Sequence, residues 1–260
     1  MGTALAVRSL SKDFGGVQAV SGVDFDVAEG EILGLIGPNG AGKTTLFNLV
    51  SGFLKPTAGT ISLFGRDVTG VPPYSLARLG VSRTFQVVRP FPRLSVLENV
   101  MVGSFLHDAS AAGAERAALQ VLSLLGMERM ADEPAGALTL AARKRLEIGK
   151  ALAVRPRLLL LDEVVAGLNP TEVAATIEVI HGIRKGGVTI VIVEHILKVI
   201  LGLADRVVVL DHGRKIAEGT PASVTQDPGV IAAYLGSDAG EEAASHFAGG
   251  TRSGLDGNDA

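Results

Sequence analysis

Length, composition and charge exclude several classes of protein before any motif is considered. The 260 residues suffice for one large α/β unit, and 47% of them are apolar but only 4% aromatic, so the core must be aliphatic. The formal net charge of −3 argues against nucleic acid as a partner, and a sequence without cysteine excludes disulfides and thiolate metal sites.

The N-terminal third predicts antiparallel strands followed by a strand, a loop and a helix. Residues 4–10 and 21–28 alternate in polarity, with a turn at Gly15-Gly16 between the two runs. EILGLIG (31–37) is an apolar strand, and KTTLFNLVSG (43–52) has the apolar spacing of a helix. Further strands are predicted at TISLFG (60–65) and GVSRTFQ (80–86), around a short helix at YSLARL (74–79).

The middle of the chain changes character and predicts an inserted helical subdomain. Residues 87–155 are rich in Ala and Leu and poor in β-branched residues. Beyond them strands alternate with helices, a pattern that builds a parallel sheet covered on both faces. The strands are predicted at 156–163, 187–195 and 206–213, and the helices near 171–185 and 196–204. The sequence thus predicts one α/β unit over residues 1–236, followed by a polar, Gly-rich and disordered tail at 237–260.

No transmembrane helix is predicted. A membrane-spanning helix needs roughly 18 or more apolar residues in a row, and the most apolar stretch, VTIVIVEHILKVILGLADRVVVL, is interrupted by charged residues such as Glu194 and Asp205. The N-terminus, MGTALAVRSL, lacks the pattern of a signal peptide. Any work at a membrane must therefore go through a partner.

The strongest motif is GPNGAGKTT, which lies between a predicted strand and a predicted helix. It matches the phosphate-binding loop G-x-x-x-x-G-K-[ST], whose glycines let backbone N–H groups surround phosphate oxygens at a helix N-terminus. Lys43 can reach the β- and γ-phosphates, and the Thr44 hydroxyl can ligate Mg²⁺. The predicted nucleotide-binding residues of the loop are Gly37, Pro38, Asn39, Gly40, Ala41, Gly42, Lys43, Thr44 and Thr45.

An acidic pair, Asp162-Glu163, closes the apolar run LLLL. Acidic residues at strand ends are ordinary, but downstream of a phosphate-binding loop Asp162 is placed to hold Mg²⁺ at the carboxyl edge of the sheet. Glu163 can accept a proton from an attacking water as general base, a role worth roughly 10²–10⁴-fold in rate. The loop and the pair together predict a site for Mg²⁺ and a nucleoside triphosphate.

These motifs, in this order, make the chain resemble the ATP-binding subunits of ABC transporters over residues 4–236. The resemblance implies roles for three further side chains. Phe14 matches the aromatic residue that stacks on adenine, with a core phenylalanine as the alternative. Gln86 matches the catalytic-site glutamine that senses Mg²⁺, and His195 matches the switch histidine that contacts the γ-phosphate. GLNP matches the D-loop, with Asn169 where many members carry Asp.

The resemblance also implies a fold, partners and a location. The fold is a P-loop NTPase core with a mostly parallel sheet, an N-terminal antiparallel β subdomain and the inserted helical subdomain. The implied partners are a second ATP-binding subunit, identical or different, and membrane permease subunits that contact the segment after Gln86. A solute-binding protein is an indirect partner. The implied location is the cytoplasmic face of the cell membrane. Three runs resemble the ATP-binding subunits of branched-chain amino acid importers: RTFQVVRPFPRLSVLENVMVG, AGLNP and AEGTPASVTQDPGVIAAYLG. Importers of urea, amides or other small polar solutes are the alternatives.

The stretch LTLAARKRLEIGK departs from the family. Members carry L-S-G-G-Q there, at the start of a helix that faces the ATP held by the other subunit of a head-to-tail dimer. Thr139 keeps its position approximately, whereas Leu140, Ala141 and Ala142 replace Gly, Gly and Gln. We expect Ala141 to place a Cβ where phosphate oxygens pack, and to adopt torsions that alanine tolerates poorly. Val164, where members usually carry Pro, is a second departure.

Two functions follow from this pattern. In the first, the chain is a motor that hydrolyses ATP, and its intact catalytic residues favour that function. In the second, it is a nucleotide-gated dimerisation module with little or no turnover, as the altered signature favours. An ABC protein of translation or repair would need two cassettes or a basic face, and the sequence has neither.

Overall fold

The computed structural model describes residues 2–235, in which ten strands form two sheets. The tail predicted to be disordered, 237–260, lies outside the described residues. The strands are β1 (Thr3–Phe14), β2 (Val17–Ala28), β3 (Ile32–Ile36), β4 (Ala58–Leu63), β5 (Arg66–Asp67), β6 (Val81–Arg83), β7 (Leu158–Asp162), β8 (Thr189–Val193), β9 (Arg206–Asp211) and β10 (Arg214–Gly219).

The first sheet is the predicted antiparallel subdomain, in the order β2-β1-β4-β5. β1 and β2 form a hairpin whose turn is Gly15-Gly16, both with positive φ. The two strands run closer to the turn than the sequence predicted. Val20, outside the predicted strand, is fully buried and pairs with Lys12 of β1, because the pairing continues as long as one face of the hairpin covers the core.

The second sheet is mostly parallel, in the order β10-β9-β3-β8-β7-β6. β3, β7 and β8 are buried along their whole length, as expected of strands covered on both faces. β10 was not predicted. It pairs antiparallel with β9 at the edge of the sheet, and its side chains are mostly exposed, so its sequence carries no apolar period.

The helices flank the parallel sheet and fill the insertion. α3, α4 and α5 lie between β6 and β7 and contact one another, which confirms the inserted helical subdomain; its boundaries at 87 and 155 stay a prediction. The two C-terminal helices were not predicted. The helices are α1 (Lys43–Val50), α2 (Pro73–Arg78), α3 (Val96–Ser104), α4 (Ala111–Leu124), α5 (Leu140–Leu152), α6 (Pro170–Lys185), α7 (Leu197–Leu203), α8 (Pro221–Thr225) and α9 (Pro228–Leu235).

In the described part of the chain the core consists of two apolar clusters, one on each face of the parallel sheet. Ile32 and Ile36 of β3 belong to the cluster that includes α3–α7, whereas Leu33 and Leu35 belong to the cluster with α1 and the antiparallel sheet. This division follows from the strand period of two, which sends alternate side chains to opposite faces. Among residues 2–235, no helix is both long and apolar enough to cross a membrane.

We predict that Leu146→Ala destabilises the protein by about 2–5 kcal/mol, because it removes a buried side chain where α5 joins the larger cluster. Leu146 is fully buried, whereas Leu119 of α4 is 40% exposed and provides the control. Denaturant unfolding of both variants checks this, with Leu119→Ala expected to lose less than about 1 kcal/mol. Equal losses would contradict the assignment of Leu146 to the core.

Candidate nucleotide-binding site

The phosphate-binding loop runs from the end of β3 to the start of α1, as predicted. Gly37 and Gly42 have φ of 150° and 100°, and a Cβ at either would lie within 2.5 Å of a backbone oxygen, that of Leu210 or that of Ala19. Only glycine therefore fits these two positions. Gly42 is the N-cap of α1, so the loop ends at a helix N-terminus whose N–H groups attract anions.

Lys43 lies inside this loop. Its Nζ donates hydrogen bonds to the backbone oxygens of Gly37 and Pro38, at 2.7 and 2.9 Å. Burial lowers the pKa of Lys43, and the nearby carboxylates of Glu163 and Asp162 oppose that shift. The ammonium is thus held between the loop and the acidic pair, where it can meet a phosphate.

Asp162 ends β7 and forms a buried ion pair that the sequence did not predict. Arg83 Nη2 lies 2.7 Å from Asp162 Oδ2, and both side chains are 7% exposed. The other guanidinium nitrogen of Arg83, Nη1, donates to Asn48 and Ser51 at the end of α1. The guanidinium also lies over the rings of three phenylalanines, 47, 53 and 85. Arg83 therefore fixes Asp162 relative to the helix that follows the loop.

Glu163 is hydrogen-bonded by three other segments of the chain. Its φ of 48° lies in the left-handed region, which costs a non-glycine residue about 1–2 kcal/mol. Its N–H donates to Val193 O at 3.0 Å, and its carbonyl accepts from Lys144 Nζ at 2.7 Å. Its Oε2 accepts from Gln86 Nε2 at 2.8 Å. The predicted glutamine therefore contacts the predicted base, and its amide oxygen is not used in that bond.

His195 and Phe14 lie at the margins of the site. His195 is exposed and comes directly after β8 and Glu194, at the same sheet edge as Glu163. Phe14 is 47% exposed at the end of β1, with Lys12 Nζ 5.1 Å from its ring centre. The alternative that Phe14 is a core side chain is therefore wrong. Ala19, on the same hairpin, lies against Gly42 of the loop.

The helix that carries the altered signature is α5, and the poor torsions predicted for Ala141 are wrong. Leu140, Ala141 and Ala142 form its first turn, and none of them has a positive φ. Thr139 is the N-cap and its hydroxyl accepts from Ala142 N–H at 3.3 Å. Alanine suits a right-handed helix. What remains of the predicted defect is side-chain bulk, above all that of Leu140, which is 49% exposed.

Four residues of the site were missed by sequence reasoning. Lys144 and Glu194 lie buried behind Glu163, and Arg83 lies behind Asp162. Tyr234 of α9 hydrogen-bonds the Gly37 backbone, and burial raises its pKa to about 12. A charge inside an apolar stretch was the available signal for Glu194, whereas Lys144 stands between two arginines and Arg83 in a mixed stretch, so neither of these two carried a local signal. No local pattern links Tyr234 to a loop almost two hundred residues earlier.

The residues around Asp162 fit a divalent cation. Thr44, Gln86 and Asp162 line one cavity of 620 Å³ between the sheet core and the helical insertion. A hydroxyl, an amide oxygen and a carboxylate are the oxygen donors that Mg²⁺ accepts. Arg83 donates its hydrogen bond to Oδ2 of Asp162 and not to Oδ1, so Oδ1 is the carboxylate oxygen that can ligate the cation.

The chain is similar to known proteins along most of its length. The ABC transporter family matches residues 20–166, and the family described as branched-chain amino acid ATP-binding cassette transporter matches residues 214–240. The chain is 41% identical to the high-affinity branched-chain amino acid transport ATP-binding protein LivG of Salmonella typhimurium, over 89% of this chain and 97% of LivG. It is 39% identical to BraF of Pseudomonas aeruginosa, which bears the same description, over 89% of this chain and 97% of BraF.

A solved structure extends the likeness to the fold. The ADP conformation of MJ1267, an ATP-binding cassette of an ABC transporter, superposes with a TM-score of 0.84 at 31% identity. The match covers 91% of this chain and 100% of MJ1267.

We predict that Lys43→Ala weakens binding of a fluorescent ATP analogue at least about tenfold, since a charge-assisted phosphate contact is worth roughly 1.5–3 kcal/mol. Fluorescence titration measures the dissociation constant. Lys55→Ala is the matched control, because Lys55 is exposed and lies beyond the far end of α1. Equal affinities for Lys43→Ala and the wild type would rule out the loop as the nucleotide site.

Proposed function

The chain belongs to the ATP-binding subunits of ABC transporters, and from that premise we propose that it uses Mg²⁺-ATP to drive import of branched-chain amino acids or a similar small polar solute. The observation that carries the proposal is a convergence at one sheet edge: Lys43 lies between the phosphate-binding loop and the pair Asp162-Glu163. The names of the relatives LivG and BraF support branched-chain amino acids as the solute.

The proposed reaction is hydrolysis of the γ-phosphate. The loop N–H groups and Lys43 bind the β- and γ-phosphates, while Thr44, Gln86 and Asp162 are the residues that would hold Mg²⁺. When bound, Mg²⁺ neutralises phosphate charge. Glu163 accepts a proton from the attacking water. The water oxygen bonds to the γ-phosphorus while the bond between the γ-phosphorus and the β–γ bridging oxygen breaks. His195 contacts the γ-phosphate, and Phe14 stacks on adenine.

Two features support the chosen side chain as base. Gln86 bonds Glu163 through Oε2, so the second oxygen can accept the proton of water. The backbone contacts on both sides of Glu163 hold it in one conformation, and a fixed orientation is what general-base catalysis requires.

The proposed partners are a second ATP-binding subunit and membrane permease subunits. Apolar side chains are exposed near the segment after Gln86, including Phe85, Val87 and Phe91, each at least 46% exposed. Exposed apolar clusters mark sites of protein contact, and this one borders the cavity that Thr44 and Asp162 line. Permease subunits on this surface would hold the chain at the inner face of the membrane and connect it indirectly to a solute-binding protein.

The altered signature favours unequal use of the two nucleotide sites in such a dimer. In the proposed head-to-tail arrangement, Thr139, Leu140, Ala141 and Ala142 face the ATP bound to the partner. The helix N-terminus keeps its dipole, but the Leu140 side chain adds bulk where phosphate must approach. A heterodimer would then hydrolyse mainly at the site of this chain, and a homodimer would turn over slowly at both.

We expect Glu163→Gln to bind ATP as the wild type does and to lose about 10²–10⁴-fold in hydrolysis, because an amide cannot take the proton of water. Titration with labelled ATP and the ATPase rate of the assembled transporter are the two measurements. Glu178→Gln, an exposed change on α6, is the control. Hydrolysis by Glu163→Gln at the wild-type rate would show that Glu163 is not the base.

We also expect the combined change Leu140→Gly, Ala141→Gly and Ala142→Gln to raise the ATPase rate by about threefold to tenfold, roughly 1 kcal/mol of activation free energy. The rise should occur in both sites of a homodimer and only in the site of the partner in a heterodimer. The same change made together with Lys43→Ala corrects for background hydrolysis. No rise in either site would mean that the signature does not limit turnover.

A further inference from the structure

A buried lysine outside the proposed catalytic set contacts the backbone of the proposed base. Lys144 is 7% exposed, and its Nζ donates to Glu163 O at 2.7 Å. A buried ammonium is costly unless hydrogen bonds and opposite charge compensate it. A neutral side chain would fill the same space without that cost, so packing alone does not account for a lysine at position 144.

The contact acts on a residue that needs support. Glu163 has a left-handed backbone, a conformation that non-glycine residues keep only where the surrounding structure holds it. Relaxation of Glu163 toward the right-handed region would change both of its backbone torsions, and the side chain would then no longer be held against Gln86. Lys144 binds the oxygen of that peptide, and Val193 binds the N–H on the other side.

Lys144 acts from the helix that carries the signature. Leu140 and Lys144 are four residues apart on α5 and therefore share one face. A Cβ at Gly167 would lie 3.3 Å from Leu140 Cδ2, and Lys144 bonds Glu163, so this face lies along the loop of residues 163–167. The first turns of α5 and the proposed base thus form one contact surface.

Glu194 is a buried carboxyl near Lys144, and burial raises its pKa to about 7, so it is partly ionised near neutral pH. It is 1% exposed, and its Oε1 accepts from Val165 N–H at 3.0 Å, in the same loop. Its Oε2 has no hydrogen-bond partner within residues 2–235. Burial lowers the pKa of Lys144, and the charges of Glu194 and Glu163 oppose that shift. Glu194 therefore holds the loop through Val165, and its ionised form stabilises the ammonium that bonds Glu163.

We propose that Lys144 is a positioning residue that holds Glu163 in its catalytic orientation and joins it to the signature helix. The proposal rests on the proposed role of Glu163 as general base. A merely structural lysine would affect folding and nucleotide binding along with hydrolysis. A positioning residue affects the rate constant alone, and only while Glu163 can act as a base.

The test compares Lys144→Met, which keeps the length of the side chain without its donor, with Lys144→Arg, which keeps donor and charge. We expect Lys144→Met to lower kcat for ATP in the assembled transporter by about 10²-fold, the effect of a misplaced catalytic group, with KM and the affinity for labelled ATP unchanged. Lys144→Arg should restore most of the rate. Lys185→Met is the control, because Lys185 is exposed at the end of α6, at the opposite edge of the sheet.

A second comparison separates this proposal from the role of Glu163. In a Glu163→Gln background, Lys144→Met should cause no further loss in the single-turnover rate, since the base is already absent. An unchanged kcat in Lys144→Met, a joint fall of kcat and ATP affinity, or a full further loss beside Glu163→Gln would each overturn the proposal. Active Glu163→Gln would instead overturn the role of Glu163 itself.

Thermal unfolding of every variant accompanies the kinetics. Should Lys144→Met fail to fold, Lys144→Gln replaces it, because the amide is one bond shorter and cannot keep the 2.7 Å contact. A reduced kcat with unchanged ATP affinity in Lys144→Gln supports the proposal, and a wild-type kcat overturns it.

Discussion

The parallel pairing of three strands is the constraint on which the whole site depends. Leu35 of β3 pairs with Val193 of β8, and Val193 pairs with Asp162 of β7. This row brings three strand ends to one edge, so the loops that follow them must meet there. The first loop is the predicted phosphate-binding loop, the second begins with Glu163 directly after Asp162, and the third begins with Glu194 and His195.

Buried charges then set the geometry within that edge. The Arg83–Asp162 pair and the Lys144–Glu163 contact connect the second loop to α1 and to α5. Removing one partner of a buried ion pair leaves an uncompensated charge and costs about 3–5 kcal/mol. The molecule therefore holds its acidic pair in place by groups that are costly to disturb. Such rigidity is what phosphate hydrolysis requires, because catalysis there is mostly positioning and electrostatic stabilisation.

The altered signature leaves the start of α5 intact as a helix. Alanine at helical positions adds no backbone strain, and Thr139 still caps the helix. The same helix contributes Leu140 and Lys144 to the loop of residues 163–167, so its first turns face two ways: toward a partner, as the family arrangement implies, and toward the acidic pair of its own chain. A change in the position of α5 would therefore alter both the surface toward the partner and the contacts with the acidic pair.

The sequence by itself determined the α/β architecture, the helical insertion and the phosphate-binding loop, because period, composition and the GPNGAGKTT spacing are local signals. It did not predict β10, whose exposed edge position leaves no apolar pattern. Only the tertiary structure decided which charges meet. Arg83 and Asp162 are 79 residues apart, and Lys144 and Glu163 are 19 apart. Their contacts arise from strand order and helix packing, which no short stretch of sequence encodes. The left-handed backbone of Glu163 likewise lies among contacts from distant elements, those of Lys144 and Val193.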